Sequence, residues 1–135
     1  NRAMPQYVVD LVSETLNERR RCLNGARILA LGIAYKRGVG DTRESPALEV
    51  MARLIGRGAV VEYADPHVPE IAFEEHSLKA VEVTDERLAE SDCVLILTDH
   101  PEFDYVRIVE TSTLVVDTRG ATHMLTVPAD RVVAL

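Results

Sequence analysis

The run Ile28-Leu29-Ala30-Leu31-Gly32-Ile33-Ala34-Tyr35-Lys36, with Asp41-Thr42-Arg43-Glu44-Ser45-Pro46 soon after it, decides the fold class. An unbroken apolar stretch from Arg27 to Leu31 suits a strand covered on both faces, as in a parallel sheet. The glycine ends the strand, and a polar loop leads to Ser45, a good N-cap, and Pro46, which suits the first helical position because its missing N–H has no intrahelical partner there. Leu48, Met51, Ala52 and Ile55 then recur at helical spacing, Glu49 and Arg53 form an i, i+4 pair, and Gly56 and Gly58 stop the helix. Val60 to Tyr63 reads as a second strand. Residues 27 to 63 are therefore a βαβ unit, right-handed by general preference.

Further strands follow from short apolar runs at Cys93 to Leu97 and Leu114 to Val116, with an edge strand expected at Arg131 to Ala134. Brief helices are expected at Asp85 to Glu90 and Tyr105 to Glu110, a short strand at Val81 to Val83, and a mostly irregular connection over 67–80. At the other end, Tyr7 to Arg21 reads as a helix with the stripe Val8, Leu11, Val12 and Leu16. Its basic end, Arg19-Arg20-Arg21, complements the helix dipole, and Asn24-Gly25 is the stop signal. The chain opens almost directly on this helix and without an initiator methionine, which suggests a cut from a longer protein. The expected architecture is a Rossmann-like α/β three-layer sandwich with a mostly parallel sheet, preceded by an N-terminal helix.

With 135 residues and 47% hydrophobic content the chain can bury one core. A net charge of −7 argues against nucleic acid or an anionic membrane as partner. Neither a membrane span nor a signal peptide is visible, and two distant cysteines fit reduced thiols in the cytoplasm.

The buried strands end in the polar clusters Gly32 through Lys36, Thr98-Asp99-His100 and Asp117-Thr118-Arg119. In a parallel sheet these ends share one edge, so Lys36, Arg43, His100 and Arg119 can converge, and such cations suit a diphosphate. Pairing of Arg43 with Asp41 or Glu44, and of Arg119 with Asp117, is the competing interpretation. The glycine pattern of a dinucleotide site, G-x-G-x-x-G, is absent after the first strand. Asp65 could mimic a ribose-binding acid, but before Pro66 it reads better as a turn residue. Cys93 packs as a small hydrophobe, and Cys22 follows three arginines that could lower its pKa if it is exposed. His67, His76, His100 and His123 show no metal-ligand spacing, so no metal site is expected. His100, placed at a strand edge, could contact a ligand or serve as a local cap.

Several of these motifs occur together and in order. Leu31-Gly32-Ile33-Ala34-Tyr35-Lys36, Asp41-Thr42-Arg43-Glu44-Ser45-Pro46-Ala47-Leu48, Gly58-Ala59, Tyr63-Ala64-Asp65-Pro66, Thr98-Asp99-His100 with Phe103-Asp104, and Val116-Asp117-Thr118-Arg119 resemble the C-terminal domain of the UDP-glucose/GDP-mannose dehydrogenase family. The resemblance covers about residues 24 to 120, and the start of the chain looks like the end of that family's central helical domain. It implies a division into 1–23, the end of a central or linker helix, and 24–135, a nucleotide-sugar-binding domain. The family oxidises the C6 alcohol of a nucleotide sugar to a carboxylate with NAD, by two hydride transfers and a thioester on a cysteine. By resemblance, Tyr35, Lys36 and Arg119 contact a UDP-sugar and Arg43 reaches NAD held by an N-terminal domain. Neither cysteine here sits in the family's nucleophile motif, so no catalytic residue is expected and the isolated domain should be inactive. The wording Asp-Thr-Arg and Thr-Asp-His looks more like the branch acting on UDP-N-acetylhexosamines. Implied partners are the N-terminal and central domains of the same enzyme and a second copy in a homodimer or larger assembly. The alternative is a non-catalytic Rossmann-like module for nucleotide binding or oligomerisation.

Overall fold

The computed structural model describes residues 3–126, 128 and 130–135. The elements in chain order are α1 (Met4–Glu18), β1 (Arg27–Leu31), α2 (Pro46–Gly56), β2 (Val60–Ala64), β3 (Glu70–Phe73), β4 (His76–Lys79), α3 (Asp85–Glu90), β5 (Cys93–Ile96), α4 (Tyr105–Thr111), β6 (Val115–Asp117) and β7 (Val132–Ala134). Five parallel strands form one sheet in the order β2-β1-β5-β6-β7, and β3 and β4 form a separate antiparallel hairpin.

Period-two alternation sorts each central strand onto two helical layers. Ile28 and Ala30 of β1, Cys93 and Leu95 of β5, and Val116 of β6 face the core shared with Val8, Val9, Val12 and Leu16 of α1 and Val50, Met51 and Leu54 of α2. Leu29, Leu31, Val94, Ile96 and Val115 face the opposite way, onto Leu88 of α3 and Ile108 of α4. A strand buried on both sides has no polar face, which is why β1 and β5 read as continuous apolar runs. The result is the expected Rossmann-like α/β sandwich with its leading helix. Counted along the parallel sheet alone the order is 2-1-3-4-5, so the winding reverses between β1 and β5. A crevice opens there at the carboxyl ends of the strands.

Helix ends follow local chemistry. Ser45 caps α2, its Oγ accepting from Ala47 N–H, while Gly58 at φ +93° lets Ala59 N–H return to Leu54 O. The residues of α2 that are fully buried are Ala47, Val50, Met51 and Leu54, with Leu48 and Ile55 only partly covered, so the helix is turned slightly from the expected stripe. α1 ends at Glu18, earlier than the expected Arg21. Arg20 takes the left-handed conformation at φ +62° that glycine usually supplies, and Arg21 N–H bonds Leu16 O.

Two expectations are corrected between β2 and α3. The stretch 67–80 contains the β3–β4 hairpin rather than a mostly irregular connection, and Val81 to Val83 is not a strand, Val81 making one backbone bond to Tyr63 O. Ile71, Phe73 and Leu78 pack on the α1/α2 side of the core. The hairpin turns through Glu74, at φ +51°, and Glu75, so neither glycine nor asparagine marks it.

Candidate functional site

Loops from three strands and one turn meet at the carboxyl edge of the sheet: β1–α2, β5–α4, the turn after β2 and the segment after β6. The β1–α2 loop leaves β1 at Gly32, whose φ of +82° and close packing on Thr98 exclude a side chain. Thr98 Oγ1 donates to Ala34 O at 2.6 Å, and Ser45 Oγ donates to Ile33 O at 2.7 Å, so the base of the loop is tied to β5 and to the start of α2.

Asp65 holds the same loop from the other side. Only 6% exposed, it accepts Ile33 N–H at 2.8 Å, Ala34 N–H at 3.3 Å and His100 Nε2–H at 2.9 Å through one oxygen, and His67 N–H at 2.8 Å through the other. The turn reading of Asp65 is therefore right as far as His67, but its larger role is to clamp the loop. This also decides the fit of a dinucleotide. The first βα turn would offer backbone N–H groups to a pyrophosphate, and here those of Ile33 and Ala34 are turned onto a carboxylate while Gly32 abuts Thr98. The turn does not fit the pyrophosphate of NAD.

Above the clamp the loop carries its candidate side chains outward. Tyr35 N–H donates to Asp41 O at 2.7 Å across the neck, leaving the Tyr35 ring exposed, and Lys36 is exposed with no ion pair or hydrogen bond among the described residues. Arg37, which the sequence reading passed over, lies 3.8 Å from Asp99. Asp99 also stands 3.6 Å from Arg119, whose guanidinium donates to Leu97 O at 3.1 Å. One carboxylate thus spaces two arginines at the mouth. Arg119 further lines a mainly apolar crevice of about 170 Å3 with Met4, Val8, Pro46, Leu97 and Leu135.

The anticipated meeting of four basic groups is only partly realised. His100 is completely buried beneath the loop, accepting Gly38 N–H at Nδ1 (2.8 Å) and facing Asp65 with Nε2. Arg43 is turned outward and held two-pronged by Asp41 at 3.1 and 3.0 Å, a pairing that keeps the Asp41 carboxyl down at about 2. Arg119 pairs with Asp117 through its backbone N–H alone (3.0 Å). Asp117 ends β6 as Asp65 ends β2. It accepts from Arg119, Ala121 and Thr122 N–H and from Thr122 Oγ1. Burial pushes its carboxyl up, but these four donors outweigh it and the net shift is downward.

Chain spacing also concealed a cluster of His67, His100 and Glu102, whose donor atoms lie within 4.8 Å of one another. His67 Nε2 is 2.7 Å from Glu102, without hydrogen-bond geometry, while both nitrogens of His100 are engaged, Nδ1 by Gly38 N–H and Nε2 by Asp65. Cys93 is buried, with its thiol pushed up to about 12 by desolvation, and Cys22 is exposed.

An α/β domain with a closed first turn and a pinned, outward-facing basic loop at its winding reversal is a ligand-binding domain of the doubly wound class. Residues 29–124 match the UDP binding domain of the UDP-glucose/GDP-mannose dehydrogenase family, and the chain belongs to that family. A UDP-N-acetyl-D-mannosamine dehydrogenase of Methanococcus vannielii is 34% identical over 103 residues, covering 76% of this chain and 22% of the relative. A UDP-glucose 6-dehydrogenase of Rickettsia bellii is 32% identical over 106 residues, 76% of this chain and 24% of the relative. Among solved structures, a UDP-D-ManNAc dehydrogenase from Pyrococcus horikoshii superposes with a TM-score of 0.78 at 25% identity, over 99% of this chain and 31% of that one. The chain spans about a quarter of the length of the curated relatives it matches. No helix among the described residues is long and apolar enough to cross a membrane.

Proposed function

We propose that this chain binds the nucleotide of a UDP-sugar and serves as the substrate domain of an NAD-dependent 6-dehydrogenase, which oxidises the sugar C6 alcohol to a carboxylate. The observation that carries the reading is the β1–α2 loop, fixed at its base by Asp65, Thr98 and Ser45 and presenting Tyr35 and an unpaired Lys36 outward. Lys36 supplies a point charge for the diphosphate, Tyr35 an aromatic face, and Arg119 a planar donor fork already oriented by Leu97 O. Arg43, facing away from the sheet, is assigned to NAD bound in a separate N-terminal domain. That cofactor would accept the hydrides, while this chain orients the nucleotide end of the substrate. Residues 1–23 are assigned to the end of a central helical domain, through which complete subunits associate. The names of the relatives favour a UDP-N-acetylhexosamine such as UDP-N-acetylmannosamine as the substrate.

Calorimetric titration of the chain with UDP and, separately, with NAD tests this. Binding of UDP and none of NAD is expected. Tight binding of NAD, or no binding of UDP at millimolar concentration by the folded chain, contradicts it.

A further inference from the structure

Resting on that reading of the loop, we infer that His100 is a positioning residue for the substrate site: through one unprotonated nitrogen it holds the tip of the loop that carries Tyr35 and Lys36. The histidine acts through the loop and never touches the substrate.

The hydrogen bonds fix the state of the ring. Gly38 N–H can only donate, so Nδ1 must offer its lone pair, and the proton of the neutral ring then sits on Nε2, directed at Asp65. Asp65 cannot reverse this arrangement, because the oxygen facing His100 already accepts Ile33 and Ala34 N–H. A buried carboxylate thus selects the tautomer, and the tautomer supplies the acceptor for the loop.

The remaining ties lie at the base and neck of the loop. Ile33, Ala34 and Ser45 fasten the base, and Tyr35 N–H to Asp41 O closes the neck. At the tip, Gly38 stands at φ +75°, and among the described residues its N–H on His100 is the one hydrogen bond from the tip to the rest of the fold, beside the Arg37–Asp99 ion pair at 3.8 Å. Gly40 lies against the His67 carbonyl, where an added Cβ would come within 2.6 Å. The Gly38 bond, together with the Arg37–Asp99 ion pair, therefore sets where Lys36, two residues away, is presented.

Protonation turns Nδ1 from acceptor to donor, and two N–H groups then face each other at the tip. The charged groups around the ring are Asp65 from the end of β2, His67 from the next turn and Glu102 from the β5–α4 loop. Tyr105 of α4 donates its hydroxyl to His100 O at 2.8 Å, and Arg37 of the substrate loop faces Asp99.

Two substitutions separate the two faces of the ring. His100→Asn can keep a carbonyl acceptor near the position of Nδ1 and cannot titrate, whereas His100→Gln reaches toward Asp65 and offers Gly38 nothing. The probe is UDP-N-acetylglucosamine at neutral pH. His100→Asn should bind it within about threefold of wild type, and His100→Gln about tenfold more weakly, as expected for one lost hydrogen bond. Wild-type affinity in His100→Gln, or a loss in His100→Asn as large as that in His100→Gln, overturns the proposal. Imidazole 15N shifts of the ligand-free chain give an independent arm. They should report an Nε2–H tautomer, with a coupling across the hydrogen bond from the Gly38 amide to Nδ1. An Nδ1–H tautomer, or a Gly38 amide without that coupling, refutes the positioning role even if the variants misfold. Absence of nucleotide binding with these signatures intact removes the UDP reading alone.

Discussion

Gly32 and Thr98 are packed so closely that a Cβ on Gly32 would stand 2.5 Å from the Thr98 carbonyl oxygen and 2.6 Å from its Cβ. This contact joins β1 to β5 where the sheet reverses its winding, and the backbone of Thr98 cannot yield without moving β5. Gly32→Ala combines that clash with a left-handed φ of +82°. It should destabilise the chain by roughly 2 to 4 kcal/mol in urea unfolding. A loss under about 0.5 kcal/mol would show that the two loops are not in contact.

Asp117 should make the chain acid-sensitive. Its folded carboxyl is held below the ordinary aspartate value, so its stabilising contribution is complete above the unfolded value and disappears as pH falls through the folded one. Asp117→Asn removes that dependence and leaves donors without a charged acceptor, costing about 1.5 to 3 kcal/mol at neutral pH. Urea melts of both proteins should converge as pH falls through the lowered folded value. A difference that does not change with pH would assign the loss to packing.

Two of the three basic residues of the β1–α2 loop, Lys36 and Arg43, should separate by ligand. Lys36→Ala leaves the fold intact, because the side chain is exposed and unpaired, and should weaken UDP-sugar binding by about tenfold. Arg43→Ala should leave that affinity unchanged and, in the complete enzyme, raise KM for NAD. Loss of UDP-sugar binding in Arg43→Ala would move Arg43 into the substrate site.

The two cysteines should react differently with a disulfide reagent. Cys22 is exposed, and Cys93 is sealed in β5 with its thiol raised to about 12. The native chain should release one equivalent and the denatured chain two. Rapid modification of both thiols in the native chain would mean that β5 is accessible.

The parts of this fold that were legible in the sequence are those set by local chemistry. β1 follows from an unbroken apolar run, the start of α2 from Ser45-Pro46, and the shared strand edge from the polar residues that end β1, β5 and β6. The β3–β4 hairpin was hidden because its turn is Glu74-Glu75 and its strands alternate only between exposed and half-buried residues. The end of α1 was hidden because Arg20 occupies a position that glycine usually marks. At the candidate site, Lys36 and Arg119 stood out by charge and place, and Tyr35 through the family resemblance alone. The clamp did not, since Asp65 and His100 lie 35 residues apart and only the pairing of β1 with β2 and β5 brings them to 2.9 Å. Asp65-Pro66 carried the signal of a turn and nothing that distinguished a turn from a buried acceptor of four hydrogen bonds.

The most direct test of the central claim is an amide chemical-shift map of the 15N-labelled chain titrated with UDP. Binding at the winding reversal predicts saturable shifts confined to Tyr35 through Gly40 and to the amides around Asp99 and Arg119. Shifts confined instead to residues of α2 and the β3–β4 hairpin such as Glu49, Arg53 and Phe73, which line an open groove, or no shifts at millimolar UDP, would contradict the assignment of this loop to the nucleotide.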